Sequence, residues 1–306
     1  MIKPKTLCIT ALLLSALFAN AQSGWQPTQN ELAGPLNFLA SPLLEGRETG
    51  KRGNSIAAEY IASMMELYGL TPAGDVWQGE VWWFQDFEVE EKGLSCRNVL
   101  GMIRGDDTSK CVVVGAHFDH LGIRNDSLFV GADDNASGVS GLLALSKRWK
   151  NKEQRPPCNL IFAAWDAEEK DFEGSKYFVE NFNSGLSSIL FYINFDMISR
   201  SDPQDTLCNI LEIGILKGHE ESKEMIERHN ALSVKPFILD FWETDGNGGS
   251  DYKCFAHHGI PVMAFFAGLN ADYHSPADTR DKIDWDKMIR VLKIANDCLE
   301  KILYPL

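Results

Sequence analysis

Hydrophobic positions along the chain fall into two alternating patterns. Residues 111–114, 160–164 and 261–266 are apolar at every position, as in strands buried on both faces of a sheet. Between such runs the apolar residues recur at helical spacing. Over 55–68 they are Ile56, Tyr60, Ile61, Met64 and Leu67, with Gly69 placed to stop the helix. The pattern predicts strands over 98–103, 111–116, 160–165, 189–195, 210–215 and 261–266, and helices over 55–68, 139–149, 173–182, 219–231 and 285–303. Residues 22–50 show little periodicity and end in Glu45-Gly46-Arg47-Glu48-Thr49-Gly50, which reads as a polar loop. This alternation predicts a single-domain α/β fold, a three-layer α/β/α sandwich around a central mixed, largely parallel β-sheet.

The first residues follow a different logic. Lys3 and Lys5 precede an apolar run over 9–18, and Ala19-Asn20-Ala21 supplies a small-x-small cleavage pattern. The run is too short for a bilayer core of ~30 Å. It reads as an export signal removed after Ala21, leaving 22–306 as the working domain in the periplasm or the medium. Cys8 does not follow the run, so no lipid anchor is expected. Composition fits a folded soluble protein: of 306 residues, 44% are hydrophobic and 10% aromatic, too many for a disordered acidic chain. Asp and Glu outnumber Lys and Arg 43 to 29, for a net charge of -14, which argues against nucleic acid and anionic lipid as partners. An oxidising compartment permits disulfides among Cys96, Cys111, Cys158, Cys208, Cys254 and Cys298, but none forms a Cys-x-x-Cys pair. Cys111 reads as a small buried hydrophobe, and no cysteine reads as a ligand or nucleophile.

In a sheet of this kind ligands bind beyond the carboxyl ends of the strands. After 111–116 come His117, Asp119 and His120; after 160–165 come Asp166, Glu168 and Glu169. Asp196 follows 189–195, and a loop after 261–266 leads to Asp272, His274 and Asp278. The glycine-flanked segment 131–138 adds Asp133 and Asp134 just before a helix. Taken singly these residues are ordinary caps and turn residues. Their convergence at one edge without matching Lys or Arg is not ordinary, because packed carboxylates repel and a divalent cation neutralises them. Oxygen and imidazole donors without thiolates suit catalytic zinc. Two metals would need one bridging carboxylate. In Glu168-Glu169 one residue can ligate while its neighbour serves as general base.

On these residues the chain resembles the secreted dizinc aminopeptidases of bacteria. They belong to the zinc exopeptidase family, which also holds leucyl aminopeptidases, glutamate carboxypeptidases and animal-type glutaminyl cyclases. The resemblance rests on 115–122, 131–138, 167–169, 194–197 and 273–279 in that order, and covers roughly 30–305. It implies that Asp134 bridges two zinc ions, with His117 and Asp196 completing one site and Glu169 and His274 the other. It further implies Glu168 as the base that takes a proton from water and returns it to the leaving amine, and Asp119 as the residue orienting His117. A cis peptide is implied between Asp134 and Asn135.

One departure stands out: where the family often has Ser-Asp-His, this chain has Ser250-Asp251-Tyr252. The substrate pocket is expected from 242–249 and 266–273, with Phe241, Trp242 and Phe266 as either pocket or plain core. Glu243 and Asp245 are either holders of a substrate ammonium or surface charge. The leading functional expectation is a zinc aminopeptidase acting on peptides. The alternative is a glutaminyl cyclase on the same fold with one zinc, and a non-enzymatic reading is a metal-dependent peptide binder.

Overall fold

Each fully apolar run becomes a central strand. The computed structural model describes residues 24–305 except 183, so the expected export signal lies outside the described residues. The main sheet has nine strands: β1 (Thr71–Pro72), β2 (Phe84–Val89), β3 (Leu94–Ile103), β4 (Asp107–His117), β5 (Cys158–Trp165), β6 (Ile189–Phe195), β7 (Ile210–Leu216), β8 (Ile238–Thr244) and β9 (Val262–Phe266). Their order is β1-β3-β5-β4-β6-β9-β7-β8, with β2 also pairing β3. The inner four, β5, β4, β6 and β9, run parallel. β3 joins β5 antiparallel, and on the other side β7 joins β9 antiparallel.

Helices cover both faces. On one lie α1 (Gln29–Leu39), α2 (Arg52–Leu67), α3 (Gly138–Lys150), α5 (Glu220–Ala231) and α7 (Trp285–Leu303), which bury Leu36, Ile61, Leu142, Ile226 and Val291 against the sheet. On the other lie α4 (Glu173–Glu180) and α6 (Tyr252–His257), which bury Phe178 and Phe255. The three-layer mixed sandwich is therefore as the sequence predicts. No helix among the described residues is long and apolar enough to cross a membrane. All six cysteines from Cys96 onward are free thiols, and Cys111 is buried as expected.

The region 22–50 differs from its reading as irregular. It holds α1, which buries Leu32, Leu36 and Leu39 and carries a capping box between Thr28 and Glu31. That box satisfies backbone donors at the first turn. Pro35 inside the helix removes one donor and weakens the helical signal. The supposed polar loop is also wrong in character: Arg47 and Thr49 are buried. Under the sheet edge, Trp165 Nε1 donates to Tyr192 Oη at 2.8 Å, which in turn donates to Asn194 Oδ1 at 2.7 Å. Asn194 Nδ2 donates to Ser250 Oγ at 3.0 Å, tying the turn before α6 to β6. Only glycine fits at 115, since a Cβ there would lie 2.4 Å from the Trp165 ring nitrogen.

Candidate metal centre

The four parallel strands deliver their chemistry to one edge by sharp turns. Glu168 and Glu169 follow Ala167, Asp196 precedes Met197, and His274 lies within the loop after β9; Ala167, Met197 and His274 have φ of 57°, 49° and 51°. This left-handed conformation costs a non-glycine residue roughly 1–2 kcal/mol, and such outliers gather at functional sites.

Two groups of ligand atoms result. In one, His117 Nε2 lies 3.4 Å from Asp196 Oδ1, 3.4 Å from Asp134 Oδ1 and 4.0 Å from Glu168 Oε2. In the other, His274 Nε2 lies 3.2 Å from both Asp134 Oδ2 and Glu169 Oε2. Asp134 thus turns one oxygen to each group. Glu168 and Glu169, though adjacent, face different groups. Every metal residue expected from sequence is brought together here: His117, Asp134, Glu169, Asp196 and His274. The Asp134–Asn135 peptide is cis.

His120, noted at the edge but given no role, belongs to the second group. Its Nδ1 lies 2.9 Å from Glu169 Oε1 and 3.6 Å from Asp134 Oδ2. The signal was present in the His117-Phe118-Asp119-His120 spacing, which sets a second imidazole in the irregular segment just after β4.

Surrounding carboxylates hold the turns in place. Asp119 accepts the backbone N–H groups of Glu168 at 3.0 Å and Glu169 at 3.2 Å, and the Thr49 hydroxyl at 3.0 Å. His117 Nδ1 is 3.6 Å from its Oδ1, so its shorter contacts aim the Glu168-Glu169 turn as well as the imidazole. Asp278 accepts from the amides of Asp133 and Asp134 at 3.1 and 3.0 Å. Asp133 accepts from Ser199 and Arg200 amides and from Asn270, fastening the loops after β6 and β9 to the bridging segment.

Beneath them sits Arg47, fully buried, donating to the carbonyls of Leu39, Phe118, Val130 and Gly131. Burial pulls its pKa down to about 10, while Asp134, Asp119 and Asp278 work to keep it charged. Arg47→Ala strips four buried carbonyls of a charged donor and leaves the carboxylates uncompensated. Denaturant unfolding should show a loss of about 3–5 kcal/mol; a loss below about 1 kcal/mol would mean that water takes over its role.

The carboxylates draw His117 and His274 toward their protonated forms. Burial opposes protonation of His117, but Glu168 and Asp196 hold its pKa well above the usual imidazole range. His274 behaves likewise, burial being outweighed by Asp134 and Glu169 to give about 9. Burial also opposes ionisation of Asp134, yet His120, His117 and His274 keep its carboxyl far below the usual range. Glu168 is the exception. Burial, with Asp196 and Asp251 adding to it against the pull of His117, drives its pKa well up. The wholly buried Asp251 is itself pushed up to about 7 by burial, with His117 working the other way.

A cavity of about 290 Å³ opens beside the cluster. Trp242, Gly249, Phe266, Leu269 and Tyr273 line it, as the ranges 242–249 and 266–273 led us to expect. Phe241 instead packs in the core on the other face, and neither Glu243 nor Asp245 lines the cavity. Strand alternation explains this, since Trp242 points inward and its neighbours along β8 do not.

A model of peptidase family M28 matches residues 98–298. The chain belongs to this family. This M28 chain is 27% identical to leupeptin-inactivating enzyme 1 of Streptomyces exfoliatus over 248 residues, covering 81% of itself and 50% of that protein. It is 27% identical to a probable leucine aminopeptidase 2 of Aspergillus fumigatus over 256 residues, 78% of itself and 47% of that protein. It therefore spans about half the length of these curated relatives. Among solved structures it superposes on BSAP, a zinc aminopeptidase from Bacillus subtilis, with TM-score 0.71 at 16% identity, covering 92% of this chain and 97% of that one. Porphyromonas gingivalis glutaminyl cyclase gives TM-score 0.71 at 15% identity, covering 92% and 99%. The fold is thus shared by an aminopeptidase and a cyclase, and the choice between them falls to the site.

Proposed function

We propose that this chain is a zinc-dependent aminopeptidase that removes N-terminal residues from peptides, with two zinc ions and Glu168 as general base. The division of Asp134's two oxygens between two His-and-carboxylate groups is the observation that carries this reading. One group would hold zinc through His117, Asp134 and Asp196, the other through Asp134, Glu169 and His274, with His120 beside it. The donor set fits: imidazoles and carboxylates converge without thiolates, and His120 Nε2 is buried with no hydrogen-bond partner among the described residues.

Bound zinc would supply Lewis acidity, polarising a carbonyl and lowering the pKa of water to ~7. The chain supplies the proton traffic. The Glu168 carboxylate, buried beside the cavity with a basicity raised by that burial, is suited to take a proton from water and return it to the departing amine. Asp119 holds the turn that aims it. The apolar run before Ala21 supports export to the periplasm or the medium.

A glutaminyl cyclase with one zinc is the second reading, supported by the cyclase neighbour. Metal analysis separates the two. Chelation should abolish peptide hydrolysis, and titration with zinc should restore it with two equivalents bound; saturation and full activity at one equivalent would contradict the dizinc reading.

Zinc takes neutral imidazole, so binding must expel the protons that His117 and His274 hold. Both imidazoles have raised pKa values, so protonation competes with zinc over the whole neutral range and weakens as pH rises toward about 9. Competition against a chromophoric chelator should show zinc affinity falling tenfold or more between about pH 8 and about pH 6. An affinity that does not change over that interval would remove these histidines from the ligand set.

A further inference from the structure

The cavity holds one carboxylate that the proposed chemistry leaves unused. Away from the metal cluster its walls are Trp242, Tyr252, Phe266, Leu269 and Tyr273, and among them stands Glu212. No Lys or Arg is among the described residues that line it.

Topology puts Glu212 there. Because β7 runs antiparallel to β9, its beginning lies at the edge where the parallel strands end. Phe195 pairs with Phe265, and Phe266 with Glu212, so Asp196, Phe266 and Glu212 stand at one level on one face. Glu212 is two strands from Asp196, about 10 Å at the usual inter-strand spacing. The aromatic wall depends on Gly214, two residues along β7, where a Cβ would lie 2.6 Å from the Trp242 ring.

The charges facing Glu212 are Asp240 and Asp202, which repel it, and Lys287, which attracts it. The Lys287 ammonium is already taken: it donates to the Ser201 hydroxyl and the Ala267 carbonyl at 2.5 and 2.6 Å and pairs with Asp205 at 3.5 Å. Burial, with Asp240 next, pushes the Glu212 carboxyl upward. A half-buried carboxylate in an aromatic slot with no committed cation is suited to accept one from a ligand.

We propose that this cavity receives the side chain of the substrate's N-terminal residue and that Glu212 selects a cationic one, lysine or arginine, whose methylene stem runs along the aromatic walls. This rests on the aminopeptidase reading. The substrate's own α-ammonium is the wrong occupant, because it sits next to the scissile carbonyl and must stay at the metal cluster. The four-carbon stem of lysine carries its ammonium well away from the α-carbon, toward the Glu212 side of the cavity.

The test compares lysyl and norleucyl 4-nitroanilides, which differ in the terminal ammonium, on the zinc-loaded wild type and on Glu212→Gln. Binding of the non-hydrolysable phosphonic acid analogues of lysine and norleucine is measured alongside. We expect kcat/KM for the lysyl substrate to exceed the norleucyl value about tenfold or more. In Glu212→Gln the ratio should fall to about one with the norleucyl rate retained, and the analogue affinities should follow. Equal rates in the wild type, or a lysine preference that survives Glu212→Gln, would overturn the assignment while leaving the aminopeptidase reading intact. A Glu212-dependent preference in analogue binding without cleavage of either substrate would uphold the pocket and sink the hydrolytic reading. Binding of neither analogue would overturn both.

Discussion

Glu168→Gln should lower kcat by roughly 10²–10⁴-fold while the protein keeps its full complement of zinc. The prediction is sharp because geometry alone permits another role. Glu168 Oε2 is 4.0 Å from His117 Nε2, and its carboxyl belongs to the same group of ligand atoms as His117 and Asp196. What argues for a base is its protonation chemistry. Asp134 faces three histidines and Glu169 two, which hold them ionised. Glu168 faces one histidine and the carboxylates of Asp196 and Asp251, so it binds a proton more tightly than they do. Glutamine preserves shape and hydrogen bonding but cannot take the proton. Metal content measured on the variant decides: a lost equivalent of zinc would make Glu168 a ligand.

Asp134→Ala should have the opposite signature, with zinc and activity lost together. Asp134 alone reaches both groups, with 3.4 Å from Oδ1 to His117 and 3.2 Å from Oδ2 to His274. Without it each proposed site would lose a ligand, and His274 would lose one of the two carboxylates that raise its pKa. Activity should fall by more than about 10³-fold, and metal analysis should find at most one zinc. Retention of two zinc ions with near-normal turnover would mean that Asp134 does not bridge. A parallel change, Asp119→Ala, bears on aim rather than on ligation, since Asp119 holds the amides of Glu168 and Glu169.

The parallel heart of the sheet was legible because strands buried on both faces have no polar positions to interrupt them. Residues 189–195 and 285–303 form β6 and α7 with the bounds their patterns predict. Edge elements were less legible. β2 and β8 leave residues such as Asp86 and Asp240 exposed, so their sequences mix polar and apolar positions without the buried signature. α1 was hidden by Pro35, although Thr28 and Glu31 at capping-box spacing marked its start.

The candidate metal residues were legible because His117, Glu169 and Asp196 lie at or just after the ends of recognisable strands, while Asp134 lies in the glycine-flanked segment before a helix and His274 sits in the loop after β9. Residues that reach the site through tertiary packing were not. Arg47 lies in a stretch that reads as a surface loop, and its burial follows from the carbonyls of three separate segments meeting around it. Glu212 is one polar residue in an apolar strand. Only the reversed direction of β7 brings it to the catalytic edge, and strand direction at the sheet margin leaves no mark in local pattern. Glu243 and Asp245 mislead for the same reason, being near the pocket along the chain and outside it in space.

The most direct test is mass spectrometry of peptides with varied N-terminal residues, glutamine included, after incubation with the zinc-loaded protein. We predict stepwise loss of whole N-terminal residues, with lysine- and arginine-initiated peptides trimmed fastest and N-acetylated controls untouched. Loss of ammonia from the glutamine peptide alone, with every other peptide intact, would make the protein a cyclase and contradict the two-metal hydrolytic account.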